Sequence, residues 1–551
     1  MKSIGRHLTS AALLGACAFP LAAQAPVLDV LLVNGRVLDG AGNPWVRQDV
    51  GIRGDRIAYL GLAAVDKPAA RETLDVRGLV ITPGFIDMHS HADLETEHGR
   101  PSVAFLMQGI TTAVLGIDGS GDNTLHATFD RYRTTGIGLN ALSYVGHGAA
   151  RSAVMGPAAR PPNAQELDAM RRYVRRGMDE GAIGLSTGLF YSPGTFAATE
   201  EVIALNRVAA EYGGIYDTHD RDLGAAYPGI GFLESMKEAI RIGEEAGTPV
   251  IFSHIGPQGR ANYGRAADAA RLIESARARG VNVMAAHHPY GATQSNLRSY
   301  TIPDWAAEGG AQAMLARFRD PALVRRLDRE TVEMLAIRGG AEKIRFVDRR
   351  QELNGKNLAQ VADSLRLPVP AAVRRILEGG NASVMNMELY DVANIRYLSR
   401  FDWMMTCTDG RNVGPEIAIT HPRPYGAFTR KLRMLAIDDS VITLPFAVRG
   451  MTSLAASFLG LKDRGLVRPG FAADLAVFDI AKVRDRATYD DPKQHSEGTV
   501  HVLVNGRFAI RDGKATGALA GEPLLRGGGV YRGSVRGDPE SRSAQGERTR
   551  R

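Results

Sequence analysis

The amino-acid sequence predicts an α/β protein: a (β/α)₈ barrel with a small β-sandwich domain formed from both termini and an inserted helical lid. Three observations predict this fold. Short apolar runs alternate with helical stretches through the middle of the 551-residue chain. Strand-like segments of similar composition stand near both ends, and one interior segment is too long for a barrel loop. Alternating strands and helices are typical of a parallel sheet with crossover helices.

Residues 1–25 have the features of a secretory signal peptide. Lys2 and Arg6 give a basic start, Ala11–Phe19 form an apolar stretch, and Ala23–Ala25 provide a small-x-small cleavage site. The apolar stretch is far shorter than the ~20 residues that a transmembrane helix needs. The sequence therefore predicts a periplasmic or secreted protein without a transmembrane segment.

The chain has two cysteines, Cys17 and Cys407. Leu14–Cys17 also resembles a bacterial lipobox, so a lipid anchor at Cys17 is the alternative to cleavage after Ala25. Cleavage at the Ala-x-Ala site leaves Cys407 alone, which excludes an intrachain disulfide in the mature chain. A chain of this length can bury enough surface to fold without one.

The formal net charge is +7 and the isoelectric point is near 9.3, values that can indicate a nucleic-acid-binding protein. Most of the excess lies at the ends, because Lys2 and Arg6 supply two charges and residues 532–551 carry six Arg against three acidic residues. The body is close to neutral, so no nucleic-acid partner is predicted. Residues 516–551 are expected to form a basic, disordered tail.

Two segments, residues 26–82 and 461–515, are predicted to form the small β domain. Their strand-like runs are Val30–Gly40, which carries an Asn-Gly turn, Asp49–Arg53, Arg56–Leu60, Gly470–Asp479 and Val500–Phe508. The strand-like runs from the two ends are similar in composition. One small sheet built from both termini is the expected arrangement.

Residues 83–460 are predicted to form the barrel. The strand-like runs are Thr112–Leu115, Leu142–Val145, Ile183–Ser186, Ile215–Thr218, Val250–Ser253, Val281–Ala285 and Trp403–Thr406. A barrel of this kind carries its chemistry at the carboxyl ends of the strands. The segment from about 296 to 370 has helical spacing and is too long for a barrel loop, so it is interpreted as an inserted lid.

The strongest chemical motif is the pair His89 and His91 within Ile81–Asp93. Alternation along a strand places both imidazoles on one face, where they can bind one metal ion. Such a pair is weak evidence alone, but this one ends the first predicted barrel strand. His219 and His254 each follow another strand-like run, so all four histidines are expected as metal ligands at one rim.

Asp409 follows the last strand-like run of the barrel, in Thr408–Gly410. A carboxylate beside a metal ion can accept a proton from water and pass it to a leaving nitrogen. An ordinary Asp-Gly turn is the alternative interpretation. The four histidines favour a catalytic role for Asp409.

Ile81–Asp93 resembles the signature of the amidohydrolase superfamily, and longer pieces resemble its N-acyl-D-amino-acid deacylase (D-aminoacylase) branch. Those pieces are Gly109–Gly116, Gly184–Gly194, Gly213–Asp222, Pro303–Gly310, His421–Arg430 and Met451–Ala456. They are spread over nearly all of the chain from Val30 to Gly506. The resemblance implies a TIM-like metal-dependent hydrolase barrel.

The resemblance also implies a zinc site with one or two divalent ions, although other divalent ions fit the same ligands. His219 and His254 are implied to hold the main ion. His89 and His91 are implied to line a second or weaker position, with Asp409 as the catalytic acid and base.

Three further residues are candidates for substrate binding. Arg423, in the His-Pro-Arg motif, is implied by the resemblance to bind the substrate carboxylate through paired hydrogen bonds. Tyr290 approximately matches a tyrosine that the family places near the same carboxylate. Tyr191 is a candidate because of its position after a strand-like run.

Two positions depart from the family pattern. Asp118 stands where the family commonly has a bridging cysteine, and a carboxylate is a harder ligand that favours less thiophilic ions. We expect Asp118 to be a metal ligand. Gly256 stands where the family has a lysine that helps to bind the substrate carboxylate. Arg423 then lacks a cationic partner, which puts a preference for a free carboxylate in question.

The sequence therefore predicts metal-dependent hydrolysis of a C–N amide bond in a small molecule, most simply the deacylation of N-acyl-D-amino acids. One alternative is a cyclic-amide or dipeptide hydrolase that uses the same metal centre. A second is a binding protein built on a catalytically dead barrel, which retention of the four histidines and Asp409 disfavours. The oligomeric state is left open.

Overall fold

The computed structural model describes residues 27–533 of the chain. The predicted signal peptide with Cys17, and residues 534–551 of the predicted tail, lie outside the described residues. Between residues 27 and 533, every helix is either too short or too polar to cross a bilayer.

The amino-terminal segment is mainly β-structure. Its elements are β1 (Leu28–Val33), β2 (Arg36–Val37), β3 (Val46–Arg47), β4 (Asp49–Arg53), β5 (Arg56–Gly61), α1 (Ala63–Asp66), β6 (Ala70–Asp75) and β7 (Val80–Pro83).

Strands and crossover helices then alternate. The elements are β8 (Phe85–Asp87), α2 (Val103–Leu106), β9 (Ile110–Leu115), α3 (Leu125–Thr135), β10 (Asn140–Ser143), β11 (Val145–Gly146), α4 (His147–Met155), α5 (Ala164–Asp179), β12 (Gly184–Gly188), α6 (Thr199–Ala210), β13 (Ile215–His219), α7 (Phe232–Ala246), β14 (Val250–Phe252), α8 (Ala266–Ala278) and β15 (Val283–His287).

A mixed segment and the carboxyl-terminal strands complete the described chain. The elements are β16 (Thr293–Asn296), α9 (Leu297–Thr301), α10 (Asp304–Ala307), α11 (Gly310–Arg317), α12 (Pro321–Ile337), β17 (Ile344–Val347), α13 (Leu358–Leu365), α14 (Val369–Glu378), β18 (Ser383–Asn386), α15 (Val392–Leu398), β19 (Met404–Thr406), α16 (Arg423–Arg430), the π-helix Lys431–Asp438, α17 (Leu444–Met451), α18 (Ser453–Phe458), β20 (Leu475–Phe478), β21 (Thr499–Val504), β22 (Arg507–Arg511) and β23 (Lys514–Ala515).

Parallel strands form the barrel. β8, β9 and β10 pair in one run, and β11, β12, β13, β14, β15 and β19 pair in another. Tyr144 alone separates β10 from β11, so these two act as one strand. Across the remaining gap, the amide of Met88 donates to the carbonyl oxygen of Thr406 over 3.3 Å. The predicted barrel is confirmed, and a strand occurs at each of the seven apolar runs.

The barrel elements follow from local sequence. β9 (Ile-Thr-Thr-Ala-Val-Leu) is buried along its whole length, as expected for a parallel strand covered on both faces. α5 begins with a capping box, in which the Asn163 side chain accepts from the Glu166 amide and the Glu166 side chain accepts from the Asn163 amide. α7 ends at Gly247, whose left-handed conformation suits a glycine.

The small β domain has two packed sheets, as the predicted β-sandwich requires, although the strands of the two termini do not all join one sheet. One sheet has the order β5-β4-β1-β6, and the other has the order β23-β22-β21-β20-β7-β2-β3. Only the second combines both ends of the chain. Asn34, at φ 66°, does not close a hairpin, because the chain passes there from the first sheet to the second. Apolar side chains of the two sheets pack together as a sandwich core.

The inserted segment differs from the predicted helical lid at 296–370. Six helices, α9 to α14, are present, but an antiparallel sheet in the order β16-β18-β17 frames them and extends the unit from 293 to 386. β16 is the polar run Thr-Gln-Ser-Asn, so it lacks the apolar alternation by which strands are found. The segment has its own apolar cluster, which includes Leu297, Phe346 and Val384.

The predicted disordered tail is wrong for residues 516–533. Leu524 and Tyr531 are buried, and the Leu524 amide donates to the carbonyl oxygen of Ala141 in β10. Asn140, the first residue of β10, ties three parts of the chain together. Its Nδ2 donates to Asp474 over 3.0 Å, and its Oδ1 accepts from Asn505 Nδ2 over 2.7 Å and from the Glu522 amide over 3.0 Å. Apolar residues before Arg532 supply the surface that orders this segment.

Candidate metal centre

Six predicted site residues meet at the carboxyl ends of the barrel strands. His89 and His91 follow β8, and Asp118 follows β9. His219 ends β13, His254 follows β14, and Asp409 follows β19. The loops after parallel strands open on one face of a barrel, which is why residues so far apart in sequence become neighbours.

Asp118 lies among the histidines. Its Oδ1 is 3.4 Å from His89 Nε2 and 3.6 Å from His219 Nδ1, and its Oδ2 is 3.5 Å from His91 Nε2. The ring of His254 is 4.4 Å from that of His219 and 5.0 Å from that of His89, between centroids. A carboxylate in this position can bind two ions through its two oxygens.

Several side-chain nitrogen and oxygen atoms of this cluster that could bind a metal ion are buried without a hydrogen-bond partner among the described residues. They are Nδ1 and Nε2 of His89, Oδ1 of Asp118, Nδ1 of His219 and Nδ1 of His254. Buried polar atoms are nearly always paired, so a set of orphaned imidazole nitrogens and a carboxylate oxygen requires a ligand. These atoms fit a divalent metal ion.

Two groups of three residues have ligand atoms within 4.8 Å of one another: His89, Asp118 and His254, and His89, His91 and Asp409. His89 belongs to both groups. The arrangement therefore offers two neighbouring metal positions that share His89, with His219 beside Asp118.

The electrostatics of His89 and His254 suit metal ligands, whereas His91 has to release a proton before it can bind an ion. Burial lowers the pKa of His89 to about 3 and that of His254 to about 4, so both imidazoles are neutral at pH 7. Burial also acts to lower the pKa of His91, but hydrogen bonds to Asp118 and Asp409 outweigh it and raise the pKa to about 9. Burial acts to raise the pKa of Asp118, but the neighbouring His89 and further histidines hold it well below its usual range.

Asp409 faces the same cluster from the other side. Its Oδ1 lies 3.2 Å from His91 Nε2, and its Oδ2 lies 2.5 Å from Arg423 Nη1. Burial acts to raise the pKa of Asp409, but Arg423 and the histidines hold it well below its usual range. Asp409 is thus an ionised carboxylate placed to accept a proton at the cluster.

Both carboxylates stand on backbone that non-glycine residues rarely adopt. Asp118 has φ 56° and Asp409 has φ 49°. The amide of Asp409 donates to the carbonyl oxygen of His89 over 2.9 Å. The amide of Gly119 donates to Ser186 Oγ over 3.1 Å. Strained backbone held by hydrogen bonds is typical of functional sites.

An open cavity of about 760 Å³ leads to the cluster. Its walls include His91, Asp118, Tyr191, Asp409 and Arg423, together with residues of the inserted segment such as Ser295, Asp348 and Ser383. Tyr191 therefore lies where the sequence predicts. The Arg423 guanidinium reaches the cavity, and its Nε has no hydrogen-bond partner among the described residues.

Tyr290 does not lie where the sequence predicts. It is buried behind the cavity, with its ring 5.3 Å from that of His421 and under the guanidinium of Arg430. Tyr290 is not part of the described cavity wall. The chain turns at Pro289, and the Tyr290 side chain then points toward α16. His288 has a second tyrosine beside it, Tyr390, at 5.7 Å between ring centroids.

Comparison with known proteins agrees with this geometry. The pattern of the amidohydrolase family matches residues 72–510 of the chain. The chain belongs to the amidohydrolase family. This amidohydrolase is 33% identical to a D-aminoacylase of Alcaligenes xylosoxydans xylosoxydans over 90% of the chain and 98% of that protein. It is 34% identical to an N-acyl-D-glutamate deacylase of the same organism, over 87% and 93%.

Solved structures show the same likeness. A D-aminoacylase crystal structure superposes on this amidohydrolase with a TM-score of 0.77 and 31% identity, covering 91% of the chain and 100% of that protein. The N-acyl-D-glutamate deacylase of Bordetella bronchiseptica, complexed with zinc and a phosphonate inhibitor, gives 0.76 and 30%, with the same coverage. A D-hydantoinase, at 0.56 and 14% identity, shares the fold.

Sequence reasoning missed residues that hold the site together. Thr408 donates through its amide to Asp87 Oδ1 over 2.8 Å and through its hydroxyl to Asp87 Oδ2 over 2.5 Å. This pair joins the ends of β8 and β19, directly below His89 and Asp409. Asp87 lies two residues before His89 in a buried strand. An acidic residue at that spacing is the sequence feature that could have identified Asp87 as a residue that supports the site.

Proposed function

We propose that this amidohydrolase hydrolyses N-acyl-D-amino acids to a carboxylate and a free amino acid, with zinc as its metal. The observation that supports this proposal most directly is the position of Asp118 among the four histidines, with Asp409 opposite and the donor atoms unpartnered. The two relatives at 33% and 34% identity bear the names of D-amino-acid deacylating enzymes.

His89, His91, Asp118, His219 and His254 would hold one or two divalent ions. An ion bound there supplies Lewis-acid polarisation of the scissile carbonyl and lowers the pKa of water. In the overall reaction, water adds its oxygen to the acyl carbon, the C–N bond breaks, and the nitrogen takes up a proton.

Asp409 would move that proton. Its Oδ1 faces the ligand cluster at 3.2 Å from His91 Nε2, so it can receive a proton from water and release it to the leaving nitrogen. Arg423 would keep Asp409 ionised and oriented, and it would present its unpartnered Nε to the substrate. Tyr191 would form part of the substrate-binding wall.

We also propose that the protein works in the periplasm or outside the cell. Ala23–Ala25 in residues 1–25 support cleavage of a signal peptide, and Leu14–Cys17 support lipid attachment as the alternative. The mass of the mature amino terminus distinguishes the two routes, since a lipid on Cys17 adds to the mass of a chain that begins there.

A substrate panel tests the function. The zinc-loaded mature protein is incubated with N-acetyl-D-amino acids, their L enantiomers and cyclic amides, and released amine is measured. We expect release from the D series. Turnover of cyclic amides alone would favour the cyclic-amide hydrolase, and no turnover of any amide would contradict the proposal.

A further inference from the structure

Asp118 stands at the third position of a tight turn, residues 116–119, that directly follows β9. Its φ of 56° lies in the left-handed region, which a residue with a side chain rarely adopts. The glycines at the two ends of the turn also have positive φ, 70° at Gly116 and 72° at Gly119. Such a conformation persists at an aspartate only when the surrounding structure holds it there.

Ser186, in β12, reaches this turn with its hydroxyl group. Its Oγ donates to the carbonyl oxygen of Gly116 over 2.5 Å and accepts from the amide of Gly119 over 3.1 Å. In a common β-turn, the first carbonyl oxygen and the fourth amide bond to each other directly. Here the hydroxyl stands between these two groups and joins both ends of the turn. The Ser186 side chain is fully buried, so water does not compete for these bonds.

The turn also packs directly on the backbone of two neighbouring strands. A Cβ atom on Gly188 in β12 would lie 2.4 Å from the carbonyl oxygen of Asp118. A Cβ atom on Gly146 in β11 would lie 2.3 Å from the carbonyl oxygen of Gly119. Real Cβ atoms do not approach other atoms so closely. The backbone of the turn is therefore seated against β11 and β12, and Ser186 fastens it there.

The placement of this turn decides where the Asp118 carboxylate lies. Its two oxygens are 3.4 to 3.6 Å from nitrogens of His89, His91 and His219. Its Oδ1 is one of the buried atoms without a hydrogen-bond partner among the described residues. The Ser186 hydroxyl bonds to the backbone of the turn and not to the carboxylate. An effect of Ser186 on a bound ion therefore has to pass through Asp118.

We propose that Ser186 is a positioning residue that holds Asp118 ready to bind the metal ion. The inference rests on the proposed function, because it takes Asp118 as a metal ligand. Without the hydroxyl, the turn of the metal-free protein can relax to conformations in which the carboxylate leaves the histidines. Only part of the molecules is then competent to bind, and the apparent affinity for the ion falls by that fraction.

The test measures zinc affinity by competition with a chromogenic chelator. Ser186→Ala should raise the zinc dissociation constant about 10- to 100-fold, the usual effect of removing a group that orients a metal ligand. Thr187→Val is the matched control, because it removes a buried hydroxyl at the next position of β12. That hydroxyl donates to Thr218 Oγ1 over 2.9 Å and does not bond to the turn. Its zinc affinity should stay within about threefold of the starting value.

Urea unfolding of the metal-free proteins separates positioning from stability. Both variants lose a buried hydrogen bond, so both should be destabilised to a similar extent. A purely structural role for Ser186 predicts equal zinc affinities for the two variants. Ser186→Thr retains the hydroxyl and should bind zinc more tightly than Ser186→Ala does.

A double-mutant cycle tests whether Ser186 acts through Asp118. In the Asp118→Asn background the charged ligand is already missing, so Ser186→Ala should change the zinc dissociation constant by less than about threefold. An equal effect of Ser186→Ala in both backgrounds would show that the serine acts by another route and would overturn the inference.

Three further results would contradict the proposal. The first is a Ser186→Ala protein that binds zinc as tightly as the starting protein. The second is a Thr187→Val control that loses as much zinc affinity as the alanine variant. The third is an Asp118→Asn protein with unchanged zinc affinity, which would remove the ligand on which Ser186 acts. None of these measurements needs turnover, so an absence of amide hydrolysis would contradict the proposed function separately.

Discussion

Asp409 and Arg423 form a buried ion pair at the mouth of the metal centre, with 2.5 Å between Oδ2 and Nη1. The pair leaves Oδ1 of Asp409 directed toward His91. One oxygen of the carboxylate is therefore committed to orientation and the other is available for proton transfer.

Asp409→Asn should retain most of the bound metal and lose about 10² to 10⁴ in kcat, because the shape is kept and the proton acceptor is removed. Zinc per protein chain and amide turnover are measured on the same preparation. Full activity in the Asn variant would exclude Asp409 from the chemistry.

The histidines should differ in their effect on metal content. We expect His219→Ala or His254→Ala to lose bound metal and activity together, whereas His89→Ala or His91→Ala should retain part of the metal. The expectation follows from the sequence resemblance, which implies that His219 and His254 hold the main ion and that His89 and His91 line a weaker position. Metal analysis after dialysis checks it, and equal stoichiometric binding in all four variants would contradict it.

Asp118 should decide the metal preference. Both its oxygens face histidines, within 3.4 to 3.6 Å. Asp118→Asn keeps the shape but removes the charge that compensates the ion, so metal content and rate should both fall. Asp118→Cys should shift the preference from Mn²⁺ toward Zn²⁺, because a thiolate is the softer ligand.

The competing explanation for Asp118 is a simple turn residue. Asn suits such turns as well as Asp does. An Asp118→Asn protein with unchanged metal content and rate would therefore show that the carboxylate has no role as a ligand.

Lys431 should make stability depend on pH. It is buried at the start of the π-helix, and its Nζ donates to Thr406 Oγ1 over 2.7 Å. Burial lowers its pKa to about 7, against about 10.4 in an unfolded chain. Between these values the unfolded chain binds a proton that the folded chain lacks. The free energy of unfolding therefore rises with pH in this window, by at most about 1.4 kcal/mol per pH unit.

Lys431→Met removes this contribution at similar volume. The starting protein should gain stability relative to the variant as pH is raised from 7 to 9, measured as the difference between urea unfolding midpoints. A difference that does not change with pH would show that Lys431 does not titrate in this range.

The sequence predicts the barrel and its catalytic rim well because both depend on local signals. Apolar runs such as Ile215–Thr218 mark buried strands, and a polar residue directly after each run must lie at the rim. His89 and Asp409 can therefore be placed at the rim from local signals, whereas Asp118 is indicated only by the resemblance to the family.

Other features depend on contacts that no local pattern encodes. Tyr390 reaches Gln258 across 132 positions in the chain, and this pairing is visible only in three dimensions. Tyr290 differs from its predicted place because its side-chain direction after Pro289 depends on packing against residues such as His421 and Arg430. The ordered residues 516–533 were missed because their few apolar side chains are buried against another part of the chain.

Asn140 has a consequence for the order of events during synthesis. Its partner Glu522 lies 382 positions later, and Asp474 lies 334 positions later. At about 5–20 residues per second, a ribosome delivers Glu522 about 20 to 80 seconds after β10 has been made. The amino end of this strand stays unfinished during that interval. The nascent barrel therefore cannot reach its final form before nearly the whole polypeptide exists, and a chain interrupted before residue 474 would leave this end of the barrel open.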